Sequence, residues 1–81
     1  MYYVYIIKSQ RKNYRYIGYT SDLINRIKEH NFGKTKSIKH LIPFELIYYE
    51  AYTNKTLARK REIQLKKKGY LKEELFKRGV I

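Results

Sequence analysis

Cysteine and tryptophan are absent from the 81-residue chain, and proline occurs once, at Pro43. Without cysteine there is no disulfide framework and no thiolate metal site. The absence fits a reducing compartment, and the cytoplasm is the expected location. No apolar run approaches the roughly 18 residues that span a bilayer, which excludes a membrane-crossing helix. The first residues are tyrosine-rich rather than a basic segment followed by an apolar stretch, so no secretory signal is expected. Acidic residues are the scarcest charged class: seven Asp and Glu stand against nineteen Lys and Arg, a net charge of +12. A surplus of this size repels itself and points to a polyanionic partner. Nucleic acid is the expected partner, ahead of an anionic membrane surface or an acidic protein. Residues 55–78 hold ten of the basic side chains and only three acids, so most of the surplus lies in the last third. The 43% apolar content is that of a folded chain, which argues against disorder despite the charge. The length predicts one domain, residues 1–81, with a thin core. Neither an internal repeat nor a linker interrupts it.

Tyrosine is abundant. Six of the ten fall within residues 2–20, YYVYIIKSQRKNYRYIGYT. Residues 2–8 are β-branched and aromatic without a breaker and read as a strand; residues 14–20 read as its antiparallel return across the polar loop 9–13. Gly18 inside the second strand suggests a bulge or a close approach of another group. A helix follows, with Thr20 or Ser21 as cap, Asp22 in its first turn, and Leu23, Ile24 and Ile27 as its apolar stripe. Gly33 is its expected terminator. Residues 34–42 form a basic loop, and Pro43 introduces a third strand over 44–52. Asn54 caps a second helix that ends at Gly69, and a third covers 70–78. The order β-β-α-β-α-α predicts an α+β domain: a small, three-stranded, antiparallel-type sheet with helices packed on it. One sheet face must be covered; the other is expected to be open, where tyrosines could meet a ligand.

Several pieces fall at a recognisable spacing: Tyr3-Val4-Tyr5, then Tyr16-Ile17-Gly18, Arg26, His30-Asn31, Pro43, ELIYYE, and Ala58 through Glu62. The ordered set resembles the GIY-YIG nuclease superfamily over nearly the whole chain. It is most similar to the small stand-alone bacterial branch, which is like the nuclease domain of the excision-repair endonuclease. The resemblance implies metal-assisted hydrolysis of a phosphodiester, with one divalent ion, magnesium or manganese. It implies catalytic roles for Tyr5, Tyr16, Arg26, His30 and Glu62. Tyr5 would be the base that takes the proton of the attacking water, and Tyr16 would hydrogen-bond water or phosphate. Arg26 would clamp the phosphate with its planar fork. His30 would orient the water, bond a catalytic tyrosine or act as an acid. Glu62 would be the metal's single protein carboxylate, since magnesium takes water and phosphate oxygens for its remaining ligands.

The residues also have plainer readings. Tyr5 and Tyr16 could simply pack a sheet face, although a free phenol, with a pKa of roughly 10, is in any case a poor base at neutral pH. Arg26 and His30 are four apart, so they share a helix face beside the apolar stripe; a solvated charge and a packed imidazole would look the same. Glu62, the only acid between Glu50 and Glu73, could be no more than a partner of Arg59 or Arg61. Two basic groups, Lys34, Lys36 and Lys39, and Arg59, Lys60, Arg61, Lys66, Lys67 and Lys68, are expected to contact phosphates, which give affinity without sequence information. Three departures from the family pattern stand out. Tyr3 occupies the place of the motif's first glycine, and no asparagine follows Asn54. Leu41 and Ile42 precede Pro43 where relatives often carry arginine. Two functions remain open: an endonuclease acting on structured, single-stranded or damaged DNA, and a non-catalytic nucleic-acid-binding module with the same fold.

Overall fold

The computed structural model describes residues 1–79 and 81. Strand β1 spans Tyr2–Ser9, β2 Arg15–Thr20 and β3 Phe44–Tyr52; helix α1 spans Leu23–Asn31, α2 Lys55–Lys67 and α3 Gly69–Lys77. A short 3₁₀ turn, Lys39–Leu41, interrupts the basic loop before β3. The architecture is the expected α+β arrangement in the expected order.

The sheet is antiparallel with strand order β2-β1-β3. The first strand in sequence is therefore central, and β2 and β3 are the edges. Tyr5 pairs with Gly18, and Ile7 with Tyr16. On the other side Ile6 pairs with Tyr48 but Ile7 with Leu46, so the register slips at Ile47.

The expectation of an open sheet face is corrected. Side chains alternate across a strand, and β1 is apolar in both directions. Val4 and Ile6 pack with Ile17 of β2, Ala58 and Leu65 of α2, and Leu75 of α3. Tyr5 and Ile7 pack on the opposite face with Ile38, Leu41 and Phe44, closed over by Leu23 and Ile27 of α1. Val4, Tyr5, Ile6 and Ile7 are all at most 1% exposed. A strand buried on both faces loses the apolar–polar alternation of a half-exposed one, and the unbroken run VYII carries that signal. Leu41, one of the two departures near Pro43, is packed into this second core, while Ile24, expected in the stripe of α1, is 73% exposed.

The helix ends follow local chemistry. Asp22, not Thr20 or Ser21, caps α1: its carboxylate accepts the Asn25 N–H at 3.2 Å. Thr20 instead accepts the Asp22 N–H at 3.0 Å and shapes the turn that leads in. Gly33 closes α1 with φ +77°, a conformation open mainly to glycine. Asn54 caps α2 by accepting two backbone N–H groups. Asn31 fixes the end of α1 to β3 by bonding both the N–H and the carbonyl of Phe44, at 2.7 and 3.1 Å.

A polar cluster that the sequence did not announce joins β3 to α2. Glu50 accepts both arms of Arg61, at 2.9 and 3.0 Å, and the hydroxyls of Tyr52 at 2.6 Å and of Tyr48. Burial alone would raise the Glu50 pKa, but these donors outweigh it and hold the carboxyl below its usual value. The Arg61 guanidinium is thus committed to Glu50 and ties α2 to β3.

Candidate active site

Tyr5 lies at the middle of the central strand, and its ring runs beneath β2 at Gly18. A methyl group at residue 18 would meet the Tyr5 ring, with Cε1 only 2.9 Å away and the outer ring atoms closer still. Gly18 has no positive φ, so glycine is needed there for space and not for backbone freedom. The phenol then reaches His30 on α1, with Oη 2.7 Å from Nε2. The second ring nitrogen, Nδ1, lies 3.2 Å from the Thr35 hydroxyl. His30 is 1% exposed. Tyr16 packs its ring edge-on to the same imidazole, with centroids 5.1 Å apart. Arg26, one turn before His30, sits beside the Tyr5 phenol and bonds Glu29 at 3.2 Å.

Glu62 arrives from the other layer. It is 4% exposed on α2, and each carboxylate oxygen holds one cation: Arg59 at 2.8 Å and Lys66 at 2.9 Å. Those cations are themselves about half exposed. Lys66 Nζ also lies 5.9 Å from the centre of the Tyr16 ring, and Arg59 lies over Tyr19. The Glu62 charge is felt at Tyr5, where it adds to the forces keeping the phenol protonated. Tyr5, Tyr16 and His30, with Arg26 beside them, stand with the α1-side core, and Glu62 comes from α2 in the other layer. Lys66, which bonds Glu62 and lies near the Tyr16 ring, and the Glu62 charge felt at Tyr5 link the two groups.

Burial sets the protonation states. It pushes the Tyr5 phenol up to about 12, against the pull of the Arg26 guanidinium. Burial likewise pulls the His30 imidazole down to about 4, with the Arg26 charge acting in the same direction. Both groups are neutral at pH 7. Between the ordinary histidine pKa of about 6.5 and the folded value, the unfolded chain takes up a proton that the folded one refuses. The stabilisation is therefore complete above about pH 6.5 and is lost as pH falls toward about 4. Glu50, with its depressed pKa, adds a second loss at lower pH. Thermal melting from about pH 8 to pH 5 should show a Tm that holds and then drops, and most of the drop should vanish in His30→Gln. Equal pH profiles for the two proteins would contradict the assignment.

Among the described residues no three His, Cys, Asp or Glu side chains cluster as a metal site. A single carboxylate remains, that of Glu62, held by two half-exposed cations. That donor set suits a hard ion that takes one protein oxygen and completes its shell with water and substrate oxygens. It does not suit zinc, which wants three or four nitrogen or sulfur ligands.

The predicted phosphate contacts divide. Lys34, Lys36 and Lys39 are exposed in the loop after α1, and Lys60, Lys67 and Lys68 are exposed along α2. Arg59 and Lys66 border the site through Glu62, and Arg61 is taken by Glu50. Thr35, Glu29 and Glu50 escaped the sequence reading. Only Glu29, three residues after Arg26 on one helix, left a detectable spacing signal. No helix among the described residues is long and apolar enough to cross a membrane.

The profile of the GIY-YIG catalytic domain matches residues 1–73. The UPF0213 protein YazA of Bacillus subtilis is 39% identical over 75 residues, covering 91% of this chain and 75% of the relative. The UPF0213 protein SERP0126 of Staphylococcus epidermidis is 43% identical over 65 residues, covering 79% and 78%. The UPF0213 protein SpyM50708 of Streptococcus pyogenes is 35% identical over 74 residues, covering 90% and 79%. No solved structure matches. With the family profile spanning nearly the whole chain, this protein belongs to the GIY-YIG family.

Proposed function

We propose that the protein is a metal-dependent endonuclease that hydrolyses phosphodiester bonds, most readily in structured, single-stranded or damaged DNA, in the cytoplasm. The buried Tyr5–His30 hydrogen bond, set beside Arg26 and within reach of the Glu62 charge, carries this reading. A buried phenol needs a hydrogen-bond partner in any case; what packing alone leaves unexplained is that Arg26 and the Glu62 charge also converge on the same hydroxyl.

The chemistry follows from the protonation states. A neutral phenol with a pKa near 12 cannot take a proton without giving one up. In the tautomer with Nδ1–H directed at Thr35, the phenol donates to His30 Nε2. The Tyr5 oxygen can then accept the water's proton while its own passes to Nε2, leaving imidazolium and a nucleophilic hydroxide. His30 resists that charge in the free protein because of burial and Arg26. A phosphate anion seated on Arg26 offsets the guanidinium charge and so raises the basicity of His30 where substrate is bound. Tyr16, at the β2 edge, would hydrogen-bond water or phosphate. Glu62 would hold the divalent ion, magnesium or manganese, which supplies charge neutralisation at the phosphate and at the leaving oxygen.

The test is cleavage of a panel of branched, single-stranded, damaged and duplex DNA, with RNA counterparts, in magnesium, manganese or EDTA. Wild type should cut only with metal, and Glu62→Gln should not cut. Binding without cutting, in either metal and on every substrate, would leave the binding-module reading in its place.

Binding itself should be steeply salt-dependent, because released counterions dominate the free energy. Affinity should fall between about 50 and 200 mM salt, and replacing Lys66, Lys67 and Lys68 together by glutamine should reduce the slope of log K against log salt. A salt-independent affinity would mean that the +12 charge serves something other than nucleic acid.

A further inference from the structure

A groove leads away from the site along the unpaired edge of β2, toward the junction of α2 and α3. Its volume is about 290 Å³, and Tyr14, Arg15, Tyr16, Lys66 and Lys72 supply its polar and aromatic lining. No acid lines it among the described residues. Tyr16 and Lys66 belong to both the groove and the site, so the two are continuous. Arg15 is held by its guanidinium over the Phe76 ring of α3, at 5.6 Å, and its Nε is buried with no hydrogen-bond partner.

We propose, on the basis of the hydrolase reading above, that this groove holds an unpaired strand of the substrate next to the scissile phosphate. Arg15 and Lys72 meet backbone phosphates, and the Tyr14 and Tyr16 rings meet bases. The volume sits at the lower limit of ligand clefts, so it takes one or two nucleotides and no duplex. Cations interleaved with aromatic rings are the surface that single strands use, because every base has a stacking face. The substrate class that follows is a flap, gap, bubble or free end rather than continuous duplex.

The test is fluorescence anisotropy with labelled 20-nucleotide oligothymidylate, oligouridylate and a duplex of equal length, all in EDTA so that nothing is cut. Wild type should bind the single strands more tightly than the duplex, and the two single-stranded arms tell DNA from RNA. Arg15→Ala and Lys72→Ala should each weaken single-strand binding about 3–10-fold and lower the salt slope by about 0.7. Tyr14→Ala should weaken it about 5-fold or more. Lys55→Ala removes the same charge from an exposed position at the start of α2, roughly 16 Å along the helix from Lys66, and should do less. Lys72→Ala keeps a good helix former, so it serves even if Arg15→Ala folds poorly. The proposal is overturned if Arg15→Ala and Lys72→Ala bind single strands as Lys55→Ala does, or if duplex binds as tightly as single strand. Cleavage plays no part in the readout. A protein that binds as expected and cuts nothing removes the hydrolase reading alone; one that cuts and ignores Arg15 and Lys72 removes the groove alone.

Discussion

Tyr5→Phe is expected to slow strand cleavage by about 10²–10⁴-fold, the range for losing a positioned general base. Only the hydroxyl is deleted, and the ring still fills its place beneath Gly18. Binding should be nearly unchanged, since Arg26 and the surface cations remain. The protein does not escape a stability cost, because His30 Nε2 loses its partner at 2.7 Å in a site 1% exposed. A buried polar group left unpaired costs about 1–3 kcal/mol. Tyr5→Phe should therefore melt lower than wild type and cut far more slowly, in one protein preparation measured both ways. A rate within a few fold of wild type would remove Tyr5 from the chemistry. Glu62→Gln makes a contrast. The sequence placed Glu62 on a helix flank, where an ion pair is worth little. The carboxylate is buried, but both of its cations are half exposed and are solvated when it is gone, so the neutral amide should cost only about 0–1 kcal/mol.

Gly18→Ala should be damaging on both counts. The added methyl has no room: the Tyr5 ring is directly below, pinned by His30 at one end and by the central strand at the other. Either β2 lifts from β1 or the ring leaves its site. Overpacking of this kind costs about 1–3 kcal/mol, and any displacement of the phenol breaks the geometry with His30. Cleavage should fall as severely as in Tyr5→Phe. A double-mutant cycle locates the cause. In a Tyr5→Leu background no ring reaches beneath β2, so Gly18→Ala should add little further loss of Tm. A penalty of the same size in both backgrounds would place the problem in the backbone of β2 instead of the contact with Tyr5.

Much of this was written in the chain's order. The run YYVYIIK could be little but a strand, Asn54 before a helical stretch could cap it, and Gly33 could end α1, because these depend on neighbours in sequence. The +12 charge and its crowding into residues 55–78 needed no structure either. The five candidate residues could be named from the chain as well, through the resemblance to the GIY-YIG pattern. What their neighbours would be was not. Nothing local states that β1 is the central strand, and this single fact buries Tyr5, covers both sheet faces and leaves β2 as an edge. Arg61 and Glu62 are adjacent in a basic helix, yet one is consumed by Glu50 and the other turns toward the site. Beside its apolar stripe His30 could have been any packed imidazole, and its burial against Tyr5 is what keeps it neutral well below the usual histidine range. Sequence determines which groups are available and which elements carry them, because propensity, capping and charge act over a few residues. Burial, protonation and partnership belong to the tertiary structure, because each depends on residues 11 to 25 positions away that only the packed sheet brings into contact.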